Sequence, residues 1–154
     1  MSVENDAASV DAVIRALYET ISHDPGGRPD WERMRPLFVA GARLIPPAAQ
    51  DGVPIQLTVD EFTERVESAL KDRGGSKGFQ EVEISRCEES YGRVVHAWST
   101  YESRRTSTDA SPFARGINSI QVVRTSGGWR IVTVLWDAET QDAPIPERYL
   151  KRNE

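Results

Sequence analysis

From about Ala7 to Ser22, apolar residues recur at Val10, Val13, Ile14, Leu17, Tyr18 and Ile21, while Asp11, Arg15, Glu19 and Ser22 fall between them. That spacing marks one face of an α-helix. His23-Asp24-Pro25-Gly26-Gly27-Arg28-Pro29 breaks the pattern, and Asp30 then caps a short helix whose inward residues are Trp31, Met34, Leu37 and Phe38. Pro36 ends its regular part, because proline lacks the backbone donor that a helix interior requires. Ala42-Arg43-Leu44-Ile45 reads as a short strand stopped by Pro46-Pro47, with Ile55-Gln56-Leu57 beyond a polar loop as a locally pairing piece. Thr58-Val59-Asp60-Glu61 has capping-box spacing, and Val59, Phe62, Val66, Ala69 and Leu70 form the stripe of a third helix that Gly74-Gly75 ends.

The rest of the chain changes period. Four extended segments, roughly Phe79–Glu89, Arg93–Arg104, Phe113–Arg124 and Trp129–Asp137, are separated by turn signals at Tyr91-Gly92, Thr108–Ser111 and Gly127-Gly128. Consecutive hairpins predict an antiparallel meander. Strands of about 10 residues exceed the usual five or six, and long antiparallel strands curl through twist and bulges. The expected fold class is therefore α+β: a cone-shaped, curved antiparallel sheet packed against about three N-terminal helices. Helices laid on a concave sheet leave a pocket between the layers.

Taking Gly127-Gly128 as a two-residue turn pairs Val122 with Thr133 and Ile120 with Leu135, and centring the preceding hairpin near Asp109 sets Tyr101 opposite Ile117. One face then carries His96, Trp98, Thr100, Glu102, Asn118, Ile120, Val122, Ile131, Thr133, Leu135 and Asp137. The other carries Ala97, Ser99, Tyr101, Arg115, Ile117, Ser119, Gln121, Val123, Val132, Val134 and Trp136. Ile131-Val132-Thr133-Val134-Leu135-Trp136 does not alternate apolar with polar, so the outer face also needs cover. A second copy of the chain supplies it, predicting a homodimer through the outer sheet face.

The 154 residues suit a single domain, 1–154, with a core at about 7–140 and a C-terminal tail at 141–154. A net charge of −5, with acids and bases spread along the length, offers no basic stripe for nucleic acid. The acidic Met1–Asp6 start and the lack of any ~20-residue apolar run point to a cytoplasmic protein without a membrane partner. Cys87 stands alone and only His23 and His96 accompany it, so neither a disulfide nor a zinc set is expected; no metal or other cofactor is called for. Gly26-Gly27 and Gly74-Gly75 lack the context of phosphate loops and read as turns.

The element order, Val94-Val95-His96-Ala97-Trp98-Ser99-Thr100-Tyr101-Glu102, and Arg115-Gly116-Ile117-Asn118-Ser119-Ile120-Gln121-Val122-Val123-Arg124 running into the glycine turn together resemble the nuclear transport factor 2-like superfamily, in its polyketide-cyclase-like (SnoaL-like) branch. The resemblance spans about residues 7 to 140 and implies the fold; its members include isomerases, cyclases, dehydratases, hydrolases, transport factors and assembly modules, so it does not fix chemistry. By that resemblance Tyr18 falls where steroid-isomerase-like members keep a catalytic tyrosine. The place of their base holds Ile45-Pro46-Pro47, which accepts no proton, and the second acidic donor falls near Asn118 or Ser119.

His96 has the intrinsic basicity of a general base, though a lone histidine on an apolar strand is more often structural; Asp137 beside Asn118 is a weaker candidate. Of Arg43, Arg104 and Arg115, Arg43 is the most suggestive anion reader because apolar residues flank it. The expected ligand-binding residues are Trp31, Arg43, Tyr101, Ser119 and Trp136, with catalytic residues unassigned. The leading expectation is a homodimeric small-molecule-binding domain. An acid–base enzyme acting on a bulky apolar substrate and a protein-interaction module stand as alternatives.

Overall fold

The structure is a computed structural model that describes residues 3–49 and 51–151. Met1, Ser2, Gln50 and residues 152–154 lie outside it, including the end of the expected tail and the first residues of the acidic start. A short helix α1 (Val3–Asp6) precedes the amphipathic helix α2 (Val10–Ile21), where Ser9 caps the first turn by accepting from the Ala12 N–H at 2.9 Å. Asp30 caps α3 (Trp31–Met34), and Pro36 sits in the single tight turn Arg35–Leu37 that leads into strand β1 (Phe38–Ile45). Helix α4 (Val59–Asp72) starts at the anticipated capping box, with Thr58 and Glu61 bonded reciprocally at 3.1 Å each way.

Four long strands follow: β2 (Gln80–Tyr91), β3 (Val94–Arg104), β4 (Ala114–Thr125) and β5 (Gly128–Ala138). The sheet order is β1-β5-β4-β3-β2. The four long strands form the expected antiparallel meander, while β1 adds parallel to β5, which makes the sheet mixed. Leu57 bonds back to Leu44 through both backbone groups, so the Ile55–Leu57 piece does pair locally.

Besides a break between Phe38 and Arg43 on the edge strand, two breaks in register shape the long strands. One lies between Gln121 and Val122 against β5, the other between Glu83 and Ser85 against β3. Each inserts a surplus residue that bends its strand and reverses which side chains face inward beyond it. The inward face packs on α2: Val13, Ile14 and Leu17 meet Val95, Ala97, Ile120, Val122, Ile131 and Val134, all buried. Burial of this order supplies about 2 kcal/mol per large aliphatic side chain.

The pairing corrects the expected faces. Tyr101 lies opposite Gly116 rather than Ile117, and the last turn is Ser126-Gly127, with Thr125 opposite Gly128. Ile120 therefore pairs with Val134, and Val122 with Ile131. The β3 set containing Tyr101 shares the inner face with Val134 and Trp136, but the break in β5 brings Ile131 inside in place of Val132. Strand β4 contributes Asn118, Ile120 and Val122 instead of Ile117, Ser119 and Gln121. Gly128, at φ +105°, lets the backbone approach the turn after α1 so closely that an added Cβ would stand 2.5 Å from the Ala7 carbonyl oxygen.

The outer face is partly covered by the chain itself. The Tyr149 carbonyl accepts from the Thr100 hydroxyl at 2.6 Å, the Lys151 carbonyl accepts from Ser85 at 2.6 Å, and the Tyr149 ring lies 5.9 Å from that of Trp98. Leu135, 46% exposed, stays open on the same face.

Candidate functional site

Between α2, α4 and the concave side of the sheet lies a cavity of about 400 Å³, within the ~300–1,000 Å³ common for small-molecule sites. Its walls are largely apolar: Leu17, Met34, Leu44, Phe62, Val134 and Trp136 contribute. Phe62 stands edge-on to Trp136 at 6.2 Å and to Trp31 at 6.1 Å, so the three rings form a wedge that holds α4 off the sheet.

One wall is polar. The break in β2 turns Glu81 inward opposite Ser103 into the cavity lining, and Glu83 inward opposite Tyr101, where it meets Ser99 outside that lining. Asn118 donates to the Tyr18 hydroxyl at 2.9 Å and to Glu81 Oε1 at 3.3 Å, which uses both amide protons. Tyr18 and Ser99 are 2.7 Å apart, and Ser99 donates to Glu83 Oε2 at 2.5 Å. Since Ser99 has one proton and gives it to Glu83, Tyr18 is the donor to Ser99. The order Asn118, Tyr18, Ser99, Glu83 is thus a one-way chain of donors, anchored where Arg86 grips Glu83 with two nitrogens at 2.8 and 2.9 Å.

Glu81 has no such anchor. Among the described residues no cation lies within ion-pair distance of it, and Oε2 receives no hydrogen bond. Burial pushes its carboxyl up to about 7, against the smaller opposing pull of the Asn118 amide. Tyr18 and Tyr101 are both raised well above the ordinary phenol range, chiefly by burial and next by the nearby Glu81 charge, so both hold their protons. The Tyr18 proton is committed to Ser99. The Tyr101 hydroxyl, facing the cavity, makes no hydrogen bond among the described residues.

Of the residues expected from sequence to bind a ligand, Tyr101 and Trp136 line the cavity and Trp31, Arg43 and Ser119 do not. Trp31 sits behind Phe62, its indole N–H donating to Glu67 at 2.6 Å. Arg43 turns back on its own strand, donating to the Gly41 and Ala42 carbonyls at 2.7 and 3.1 Å. Ser119 stands on the outer face opposite Trp98, bonded to His96 Nε2 at 2.9 Å, because β4 pairs with β3 one residue away from the anticipated alignment. His96 and Asp137 share that outer face and do not reach the cavity.

Glu81 was not a candidate on sequence grounds. Glu81-Val82-Glu83-Ile84 alternates as if the acids faced water, and only the surplus residue near Ile84 reverses it. No three or more His, Cys, Asp and Glu side chains gather as a metal-binding group among the described residues. No helix of the described residues is long and apolar enough to cross a membrane.

No family model and no curated protein matches the chain in sequence. Solved structures do match in shape. A nuclear transport factor 2-like protein of unknown function from Shewanella baltica is 12% identical with a TM-score of 0.58, covering 85% of this chain and 91% of that one. The fold is nuclear transport factor 2-like. A Mycobacterium tuberculosis protein of unknown function has this fold too (15% identity, TM-score 0.63, 88% of this chain and 73% of that one). So has a protein described as a putative calcium/calmodulin-dependent protein kinase type II association domain from Thiobacillus denitrificans (15%, TM-score 0.60, 86% and 97%). At such identities the likeness is one of nuclear transport factor 2-like architecture, and none of these three is described as a polyketide cyclase.

Proposed function

We propose that the cavity is an acid–base site for a bulky, largely apolar small molecule, with Glu81 taking a proton from the substrate and Tyr101 hydrogen-bonding to the oxygen on which charge develops. The observation that carries this is the free Oε2 of a carboxylate that titrates near neutrality inside an apolar hollow. A base is most effective when its pKa lies near the operating pH, and strongly shifted carboxylates in clefts concentrate at functional sites. Glu81 and Tyr101 are driven to opposite roles, one able to give up its proton at neutral pH and the other retaining it. Tyr18, Asn118 and Ser99 position Glu81 and do not reach the substrate with a free proton. Trp136 and Phe62 supply contact area for the apolar body.

Nitrobenzisoxazole is a compact probe of base strength in such a cavity, because loss of its ring C–H proton breaks the N–O bond and releases a coloured cyanonitrophenolate. We expect a rate that rises through pH about 7 in the wild type and falls to the buffer level in Glu81→Gln. A wild-type rate no faster than buffer, or an unchanged rate in the variant, refutes the assignment.

We further propose that the protein acts as a homodimer through the part of the outer face left open by the tail, where Leu135 is exposed. Light scattering at micromolar concentration giving a monomer mass would remove that proposal. A soluble cytoplasmic setting is the context proposed for both.

A further inference from the structure

Three cations stand around the open end of the cavity: Arg73 and Lys77 are exposed, and Arg105 is half-buried. None has a carboxylate within ion-pair distance among the described residues, whereas Arg33, Arg86, Arg104 and Arg115 are each paired with an acid. Glu81, the one carboxylate in the lining among the described residues, sits at the buried end. The cavity is therefore polarised along its length, with a base inside and uncompensated positive charge outside, in a chain whose net charge is −5.

The rim is held in shape. The Ser76 hydroxyl bonds His23 Nε2 at 2.6 Å and accepts from the Gly78 N–H at 2.9 Å, and the Ser76 carbonyl accepts from the Gly26 N–H at 2.9 Å. Gly78, at φ +93°, lies so close to Arg105 that an added Cβ would meet its carbonyl oxygen at 2.2 Å. The Arg105 guanidinium stacks 4.0 Å from the centre of the Phe113 ring, and Phe113 lies 6.2 Å from Phe79. Apolar rings thus continue from the cavity to the cations, and an extended ligand has greasy contact along its whole path.

We infer that the site takes an apolar small molecule bearing a terminal oxyanion, a carboxylate or a phosphate ester, which Arg73, Lys77 and Arg105 hold at the mouth while the body lies against Trp136 and Phe62. This names the substrate class of the small-molecule site proposed above and rests on that reading. A terminal anion at the mouth also keeps negative charge away from Glu81, which a ligand charged at its inner end would oppose.

The test is calorimetric titration with naphthylacetate, naphthylethyl phosphate and the neutral naphthylethanol at neutral pH and low salt. At least one anion should bind about tenfold or more tightly than the alcohol, and the gap should shrink as salt screens the exposed charges. Whichever anion binds more tightly identifies the carboxylate or the phosphate source. Arg73→Gln/Lys77→Gln/Arg105→Gln should remove most of the gap and leave the alcohol within about twofold. Arg73→Gln/Lys77→Gln, which spares the stacked Arg105, should give a smaller change in the same direction even if the triple variant folds poorly. Alcohol binding as tight as both anions, or an undiminished gap in the variants, overturns the inference while the small-molecule site survives. Failure of all three probes to bind overturns both.

Discussion

Replacing Glu81 by glutamine removes an ionisable group but keeps the carbonyl oxygen that accepts from Asn118. Moving a carboxyl from its ordinary value of 4.5 to about 7 makes ionisation of the folded state costly, at ~1.4 kcal/mol for each pH unit, so the full penalty is about 3 kcal/mol. The sign follows from proton counts. Between pH 4.5 and about 7 the native state holds the proton that the unfolded chain has released, so stability falls as pH rises through this window and levels off above it. Glu81→Gln carries no such penalty. Urea unfolding should find the variant more stable than wild type by about 3 kcal/mol at pH 8, and within ~0.5 kcal/mol of it at pH 4. For a chain of this size the alkaline gain corresponds to a midpoint rise of roughly 6–12 °C. Equal differences at the two pH values, or a variant less stable at pH 8, would show that Glu81 is not a desolvated acid and would take away the basis for its role as a base. A more stable protein that has lost its reaction is the signature of a residue retained for chemistry.

Other expectations follow from single contacts. Arg33→Met should cost about 3–5 kcal/mol, because Asp6 is 3% exposed and Arg33 binds both its oxygens at 2.9 and 3.0 Å; denaturant melts check this, and a loss under 1 kcal/mol contradicts it. Gly116→Ala should destabilise by at least ~2 kcal/mol, since the new methyl would stand 2.3 Å from the Asp137 carbonyl and 2.4 Å from the Tyr101 hydroxyl; a neutral result in the same melts would mean that the Tyr101 ring has room to retreat. Trp136→Ala should abolish the thermal shift given by naphthyl ligands, and an unaltered shift would remove Trp136 from the binding wall.

The strand and helix inventory was legible because each long element carries its own period and boundary signal, as at Thr58-Glu61 and Gly74-Gly75. Helix α1 and the parallel placement of β1 were not, since four residues have no readable period and an edge strand accepts either direction. That Tyr101 and Trp136 line the cavity was legible because large aromatics on an inward strand have few other places to go. Ser119 was misplaced by one position in the loop between β3 and β4, and in a strand one position means the opposite face. Glu81 was hidden for a deeper reason. Continued regularly from Tyr91 opposite Val94, the β2 ladder would put Val82 and Ile84 inside, as their apolarity suggests, and the acids outside. Val82 is instead exposed, because the irregularity near Ile84 costs no recognisable residue type and leaves no mark in the alternation.

That irregularity makes the lining of the hollow depend on pairing register as well as on composition. Pairing Ile84 itself opposite Tyr101, with no residue left over, would rotate both acids to the exterior and line the chamber with Val82 and Ile84. Losing Ile84, by contrast, would leave a regular ladder with Glu83 still opposite Tyr101 and Glu81 still opposite Ser103. In that slipped register the same scaffold would be an inert receptacle for grease, so the alignment of the first long strand with its neighbour decides whether acids or apolar side chains turn toward the chamber.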